Sequence, residues 1–298
     1  MSAIRRMHDD EVIPDAAQVA TLIADQHPQW SALPVMPVAS SGTDNAMFHL
    51  GDDLAVRMPR RPGMEELPAR EHRWLRALAP QLPVAIPEPL ALGAPGHGYP
   101  YPWLVLSWLD GENPRVGALQ HPFDLARDLG AFTRAMRAID TADGPPTGAS
   151  LAERDARVRR DIEALRDEID ADAVTAVWEQ ALTLPAETAP TWVHSDVAPG
   201  NLLLHDGRLH GVIDFSWCGV GDPAIDLQVA WNLLPDEARS ALREASGVDE
   251  ATWLRARARA LAQALVQLPY YKTTNIPLAT NARHVIAEVL HEAELSPR

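Results

Sequence analysis

Residues 193–201, "VHSDVAPGN", set a carboxylate, Asp196, and a carboxamide, Asn201, five residues apart in a loop that contains proline and glycine. A second carboxylate, Asp214, stands thirteen residues beyond Asn201, in Ile213-Asp214-Phe215. The chain between them, "LLLHDGRLHGVID", reads as a β-hairpin, two apolar runs about Asp206-Gly207. An out-and-back path of that length lets Asp214 return close to Asn201. Oxygens from those two side chains suit Mg2+, which prefers hard oxygen ligands together with phosphate oxygens and water. Asp196, just upstream, is placed to accept a hydroxyl proton. A proton acceptor and a metal that neutralises triphosphate charge are what phosphoryl transfer needs.

The elements that position these residues follow from periodicity. Residues 11–32 read as a short helix with Val19, Leu22 and Ile23 on one face. "AMFHL" and "LAVRM", joined by "GDD", read as a hairpin, and the small polar loop "SSGTDN" precedes it. A helix over 66–79 puts Glu71 on the same face as Leu75 and Leu78. After a Pro-rich connection comes the apolar strand "WLVLSWL", and "DGENP" marks the preferred domain boundary. Leu125, Leu129, Phe132, Met136 and Ile139 then mark a strongly amphipathic helix. Residues 151–184 read as one or two helices with a solvated charged face, and the chain from Ala224 onward is mostly helix.

The spaced set His194, Asp196, Asn201, Ile213-Asp214-Phe215 and residues 221–227, "GDPAIDL", resembles the catalytic loop and metal-binding aspartate of protein-kinase-like enzymes. Within them it is most similar to the aminoglycoside phosphotransferase family, which also includes choline, fructosamine and homoserine kinases. Several fixed intervals agree across 34 residues, and Ser195 replaces a common glycine. The resemblance implies an α+β, two-lobed protein-kinase-like fold. Its N-terminal lobe, 1–109, would be a mostly antiparallel sheet with a helix, joined by a linker around 104–113 to a larger, mainly helical lobe, 110–298. It implies Asp196 as catalytic base, Asn201 and Asp214 as Mg2+ ligands, and His194 and Asp226 as scaffold of the loop.

The resemblance also places a phosphate-covering loop at Ser41, Gly42 and Thr43. It puts a strand cation at Arg57, paired with Glu71, and backbone readout of the base around Ser107 and Leu109. The family's protein-kinase relatives use lysine where Arg57 stands. Arginine keeps the charge and adds a bidentate fork. Arg60 and Arg61 compete for the role but lie past Pro59. Lys272, the only lysine among 26 basic residues, is too far along the chain to substitute.

Composition bounds the partners. Twenty-six basic against 41 acidic residues give a net charge of −15, which argues against nucleic acid. The same charge admits a cationic acceptor, and Asp236, Glu237, Glu244, Asp249 and Glu250 fit either attraction of a polyamine or a solvated face. One cysteine, Cys218, excludes an internal disulfide; it reads as a small buried residue. No signal peptide or membrane-spanning run is seen, so a cytoplasmic protein is expected. Trp217 and Trp231 read as core, and His205 and His210 as strand or surface residues.

The sequence thus predicts an ATP- or GTP-dependent, Mg2+-requiring phosphotransferase acting on a small-molecule hydroxyl, of aminoglycoside type before others. A metabolic kinase of choline, homoserine, fructosamine or sugar type shares every motif. A non-catalytic nucleotide-binding pseudokinase is the third reading, disfavoured because Asp196, Asn201 and Asp214 are all intact. The short stretch between Asp214 and Asp222 leaves no room for the peptide-docking loop of a protein kinase.

Overall fold

A computed structural model of the chain describes residues 11–38, 44–185 and 189–295. Contacts divide the chain into two compact units. One is Met1–Gly111 with Gly211–Ser216, the other Glu112–His210 with Trp217–Arg298.

The first unit contains α1 (Ala16–Gln26), β1 (Val35–Pro37), β2 (Asn45–Leu50), β3 (Leu54–Pro59), α2 (Leu67–Leu78), β4 (Pro89–Gly93) and β5 (Trp103–Ser107). The strands form one antiparallel sheet in the order β1-β2-β3-β5-β4. Asp15 starts α1 by accepting from the Gln18 N–H at 2.8 Å. Val19, Leu22 and Ile23, three and four residues apart, then bury one helix face against Phe48, Leu50, Val56, Met58 and Trp103. Each fully buried side chain of this size contributes roughly 1.5–3 kcal/mol.

Side chains alternate along β3, so Val56 and Met58 face this core and Arg57 between them faces the other way. On that side α2 brings Glu71, Leu75 and Leu78, all buried. The helix starts with Pro68 in its first turn, where a missing N–H costs nothing. The short segment Gly211–Ser216, which the sequence boundary assigns to the second lobe, packs with this first unit. Two backbone N–H groups hold it there: Val212 donates to Ala85 O at 3.0 Å, and Phe215 donates to the Glu71 side chain, Oε1, at 3.2 Å.

The second unit is mainly helical. It contains α3 (Pro122–Ala138), α4 (Leu151–Ala164), α5 (Ala171–Leu182), α6 (Val229–Asn232), α7 (Asp236–Ser246), α8 (Glu250–Tyr271) and α9 (Ile276–Leu295). Short strands β6 (Thr191–Val193) and β9 (Gly219–Gly221) pair antiparallel, and β7 (Leu202–His205) pairs with β8 (Arg208–Val212), whose last two residues belong to the first unit, about the expected Asp206-Gly207 turn. Leu125, Leu129, Phe132 and Met136 form the buried stripe of α3. The charged stretch 151–184 is two helices; a reciprocal Ser150–Glu153 capping box starts α4, and Asp170 caps α5. Glu292 on α9 accepts from the indole N–H of Trp231 at 2.8 Å and of Trp253 at 3.2 Å, which ties the last helix to the core.

Trp231 and Cys218 are buried, as the sequence reading expects, but Trp217 is not: it is 43% exposed. A turn sets Ser216 and Cys218 inward on either side and leaves the indole facing outward. His205 and His210 are exposed on the hairpin.

Candidate functional site

The candidate residues form two assemblies, one in each unit. In the first, Arg57 and Glu71 are buried, and Arg57 also meets the carboxylate of Asp214, which is about a third exposed. Its Nη1 donates to both Glu71 oxygens, at 2.6 and 2.9 Å, and its Nη2 donates to Asp214 Oδ1. Asn45 completes the arrangement. With its carboxamide oxygen turned toward the guanidinium, the orientation that satisfies both ends of the amide, Asn45 accepts from Arg57 Nη2 at 2.8 Å and Nε at 3.1 Å. All five N–H groups of the arginine then have oxygen partners. A lysine at this position has no planar fork with which to meet all three side chains.

Asn45 escaped sequence reasoning. The signal lay in strand register: Asn45 pairs with Pro59 across β2 and β3, which makes it the diagonal neighbour of Arg57 on the same sheet face. The competing arginines are engaged elsewhere, Arg60 with the buried Glu11 at 2.5 Å and Arg61 with Asp44 at 2.7 Å. Burial pushes the Glu71 carboxyl up to about 7, against the downward pull of Arg57. The Arg57 guanidinium is driven down by burial but up further by Asp214 and Glu71, and it stays charged.

Asp214 has φ +68°, in the left-handed region that aspartate tolerates better than most residues. Ser107 ends β5, where its Oγ accepts from Glu88 N–H at 2.8 Å and its own N–H donates to Glu88 O at 2.9 Å. Leu109 lies beyond it, partly buried. Ser41, Gly42 and Thr43 lie outside the described residues. Lys272 caps α8 and pairs with Glu168 at 2.8 Å.

In the second unit the loop after β6 is held by one buried carboxylate. Asp226 accepts from the backbone N–H of His194 at 2.7 Å and of Ser195 at 2.8 Å. His194 is itself fully buried, its ring edge-on to Phe132, and its Nδ1 accepts from Asp196 N–H at 3.2 Å. Burial raises the Asp226 carboxyl to about 7, with the two N–H donors pulling it back and the Asp196 charge pushing it up.

Asp196, by contrast, is exposed. Asn201 turns its amide N–H groups to it, donating to Asp196 O at 2.9 Å and Oδ2 at 2.8 Å. Asn113, from the "DGENP" break, anchors the far end of the loop by donating to Gly200 O and Leu202 O. Its value too was invisible without the tertiary path.

The acidic residues considered for a polyamine are partly spent within the unit. Asp249 caps α8 through Thr252 N–H at 2.8 Å, Asp236 pairs with Arg239 at 3.3 Å, and Glu250 pairs with Arg243. No cluster of three or more His, Cys, Asp or Glu arranged to hold a metal occurs among the described residues. No described helix is long and apolar enough to cross a membrane.

An antiparallel sheet unit that buries an Arg–Glu pair, and a helical unit whose buried aspartate holds the backbone of a His-x-Asp loop, define a protein-kinase-like fold. The chain belongs to the phosphotransferase enzyme family, which it matches over residues 35–262. It is 33% identical to an aminoglycoside 3′-phosphotransferase of Escherichia coli over 124 residues, which is 39% of this chain and 45% of the relative. The match therefore spans less than half the length of that curated relative.

Among solved structures, the GDP complex of wild-type aminoglycoside 2′-phosphotransferase-IIIa superposes with a TM-score of 0.74 at 17% identity, over 94% of this chain and 100% of the other. A macrolide 2′-phosphotransferase from Brachybacterium faecium, without ligand, gives 0.61 at 23% identity, over 91% of this chain and 97% of the other. At these identities the likeness shows the fold.

Proposed function

We propose that this chain transfers the γ-phosphate of ATP to a hydroxyl of a small molecule of aminoglycoside type. The observation that carries the reading is the second assembly: an exposed carboxylate, Asp196, on a backbone fixed by a buried one, Asp226, with Asn201 steering it. A group so placed is available to a substrate and costs no reorganisation when it acts.

Asp196 accepts the proton of the acceptor hydroxyl as its oxygen bonds to the γ-phosphorus and the bond from phosphorus to the β,γ-bridging oxygen breaks, releasing ADP. Asn201 and Asp214 are the residues that would hold Mg2+. Their donor chemistry fits it, since both offer hard oxygens and Asn201 commits its N–H groups to Asp196 and leaves its Oδ1 for a cation. Bound there, the ion neutralises charge on the triphosphate.

Arg57 serves the nucleotide phosphates, with Glu71 and Asn45 holding the guanidinium in place. Its contact to Asp214, a side chain about a third exposed, is the one a phosphate oxygen replaces. The net charge of −15 favours a cationic acceptor.

A coupled ADP-release assay tests the reading. ATP and GTP are each offered with aminoglycosides, macrolides, choline, amino alcohols and sugars. Saturable, Mg2+-dependent ADP release with an aminoglycoside is expected. Release only with another class moves the acceptor assignment, and binding of nucleotide without release on any acceptor turns the reading toward a non-catalytic protein.

A further inference from the structure

Ser195 stands immediately before Asp196 with φ +75°, in the left-handed region that glycine enters freely and serine does not. Its N–H is fixed by Asp226. Its hydroxyl lies 3.2 Å from Thr147 Oγ1, and Thr147 Oγ1 lies 2.8 Å from the carbonyl oxygen of Trp217.

The direction of this chain follows from proton counting. A carbonyl only accepts, and a threonine hydroxyl carries one proton. Thr147 therefore donates to Trp217 O, and Ser195 must donate to Thr147. Thr147 is not free to drift: its N–H donates to Val220 O at 3.0 Å, and its carbonyl lies so close to Gly221 that a Cβ there would sit 2.5 Å away.

We propose that Ser195 and Thr147 are positioning residues for Asp196. The relay from Ser195 through Thr147 to the Trp217 carbonyl holds the left-handed turn and so sets the direction in which Asp196 projects. Glycine at 195 would reach the same φ without strain but would give Thr147 nothing to hold. In this chain the serine trades backbone ease for a side-chain tether, and the tether makes Thr147 matter. The inference rests on the reading of Asp196 as proton acceptor.

The test is a cycle of variants in the full chain: Thr147→Val, Thr147→Ser, Ser195→Gly, Ser195→Ala, and Thr147→Val combined with Ser195→Gly. Thr147→Val should lower kcat about tenfold with KM for nucleotide and acceptor within about twofold, the mark of lost alignment rather than lost binding. Thr147→Ser, which restores the hydroxyl, should stay within about twofold of the parent. Ser195→Ala keeps the strain and loses the tether, so it should fall at least as far as Thr147→Val. On the Ser195→Gly background Thr147→Val should cost less than about twofold, because the partner is already gone.

Hydrogen exchange of the 195 and 196 amides supplies a readout without turnover: Thr147→Val should speed it about tenfold in the parent and not in Ser195→Gly. Equal effects of Thr147→Val on both backgrounds overturn the proposal. If the parent turns over no acceptor, the phosphotransfer reading fails, while the exchange cycle still decides whether the relay holds the backbone of Asp196.

Discussion

The two assemblies hold a buried carboxylate in opposite ways. In the sheet unit Glu71 is buried, and its charge is answered by an arginine whose every N–H is taken by Glu71, Asp214 and Asn45. In the helical-unit assembly the buried carboxylate, Asp226, is paired with no arginine among the described residues. It is answered by two backbone N–H groups, and its work is to shape a loop that leaves Asp196 exposed. A side-chain cradle fixes a cation; a backbone clamp fixes a direction. The first ties its stability to charge pairing, the second to hydrogen bonds.

This contrast can be tested by removing each anchor in turn. Arg57→Ala leaves Glu71 buried without its cation and should lower unfolding free energy by about 3–5 kcal/mol, read from urea denaturation. A loss under about 1 kcal/mol would mean that the pair is not stabilising the sheet unit. Asp226→Ala strands two buried N–H groups and should cost roughly 2–4 kcal/mol by the same measurement.

The clamp carries a pH signature, and it shares it with Glu71, whose carboxyl is also raised to about 7. Burial raises the Asp226 carboxyl to about 7, so between about pH 4 and 7 the folded chain keeps a proton that the unfolded chain releases. That contribution is present below about pH 4 and is lost as pH rises through about 7. The slope for this one group is up to about 1.4 kcal/mol per pH unit, and Asp226→Asn should remove that share of the slope between those limits and leave the share of Glu71. Asn201→Ala, on the exposed side of the loop, should change stability by no more than about 0.5 kcal/mol in thermal unfolding.

Much of this was legible in the sequence. Periodicity placed Val19, Leu22 and Ile23 on one buried face and turned Glu71 inward, because local spacing decides which face of a helix is apolar. Asp206-Gly207 announced its hairpin by turn chemistry. The rest needed the folded chain. Asn45 meets Arg57 only through the β2–β3 register, and Asn113 reaches the loop from 87 residues away. Trp217 looked like core because tryptophan is apolar, yet the local turn faces it outward. The left-handed backbone of Ser195 was hinted at only by the glycine it replaces in the family pattern, and the use Thr147 makes of it has no trace in residue type.

The central claim is that Asp196 does chemistry on a scaffold it does not support. Asp196→Asn keeps the shape and removes the proton acceptor. With the best acceptor from the screen, kcat should fall by about 10²–10⁴, while nucleotide affinity stays within about twofold and thermal stability is unchanged. Turnover retained within about tenfold of the parent would contradict the account.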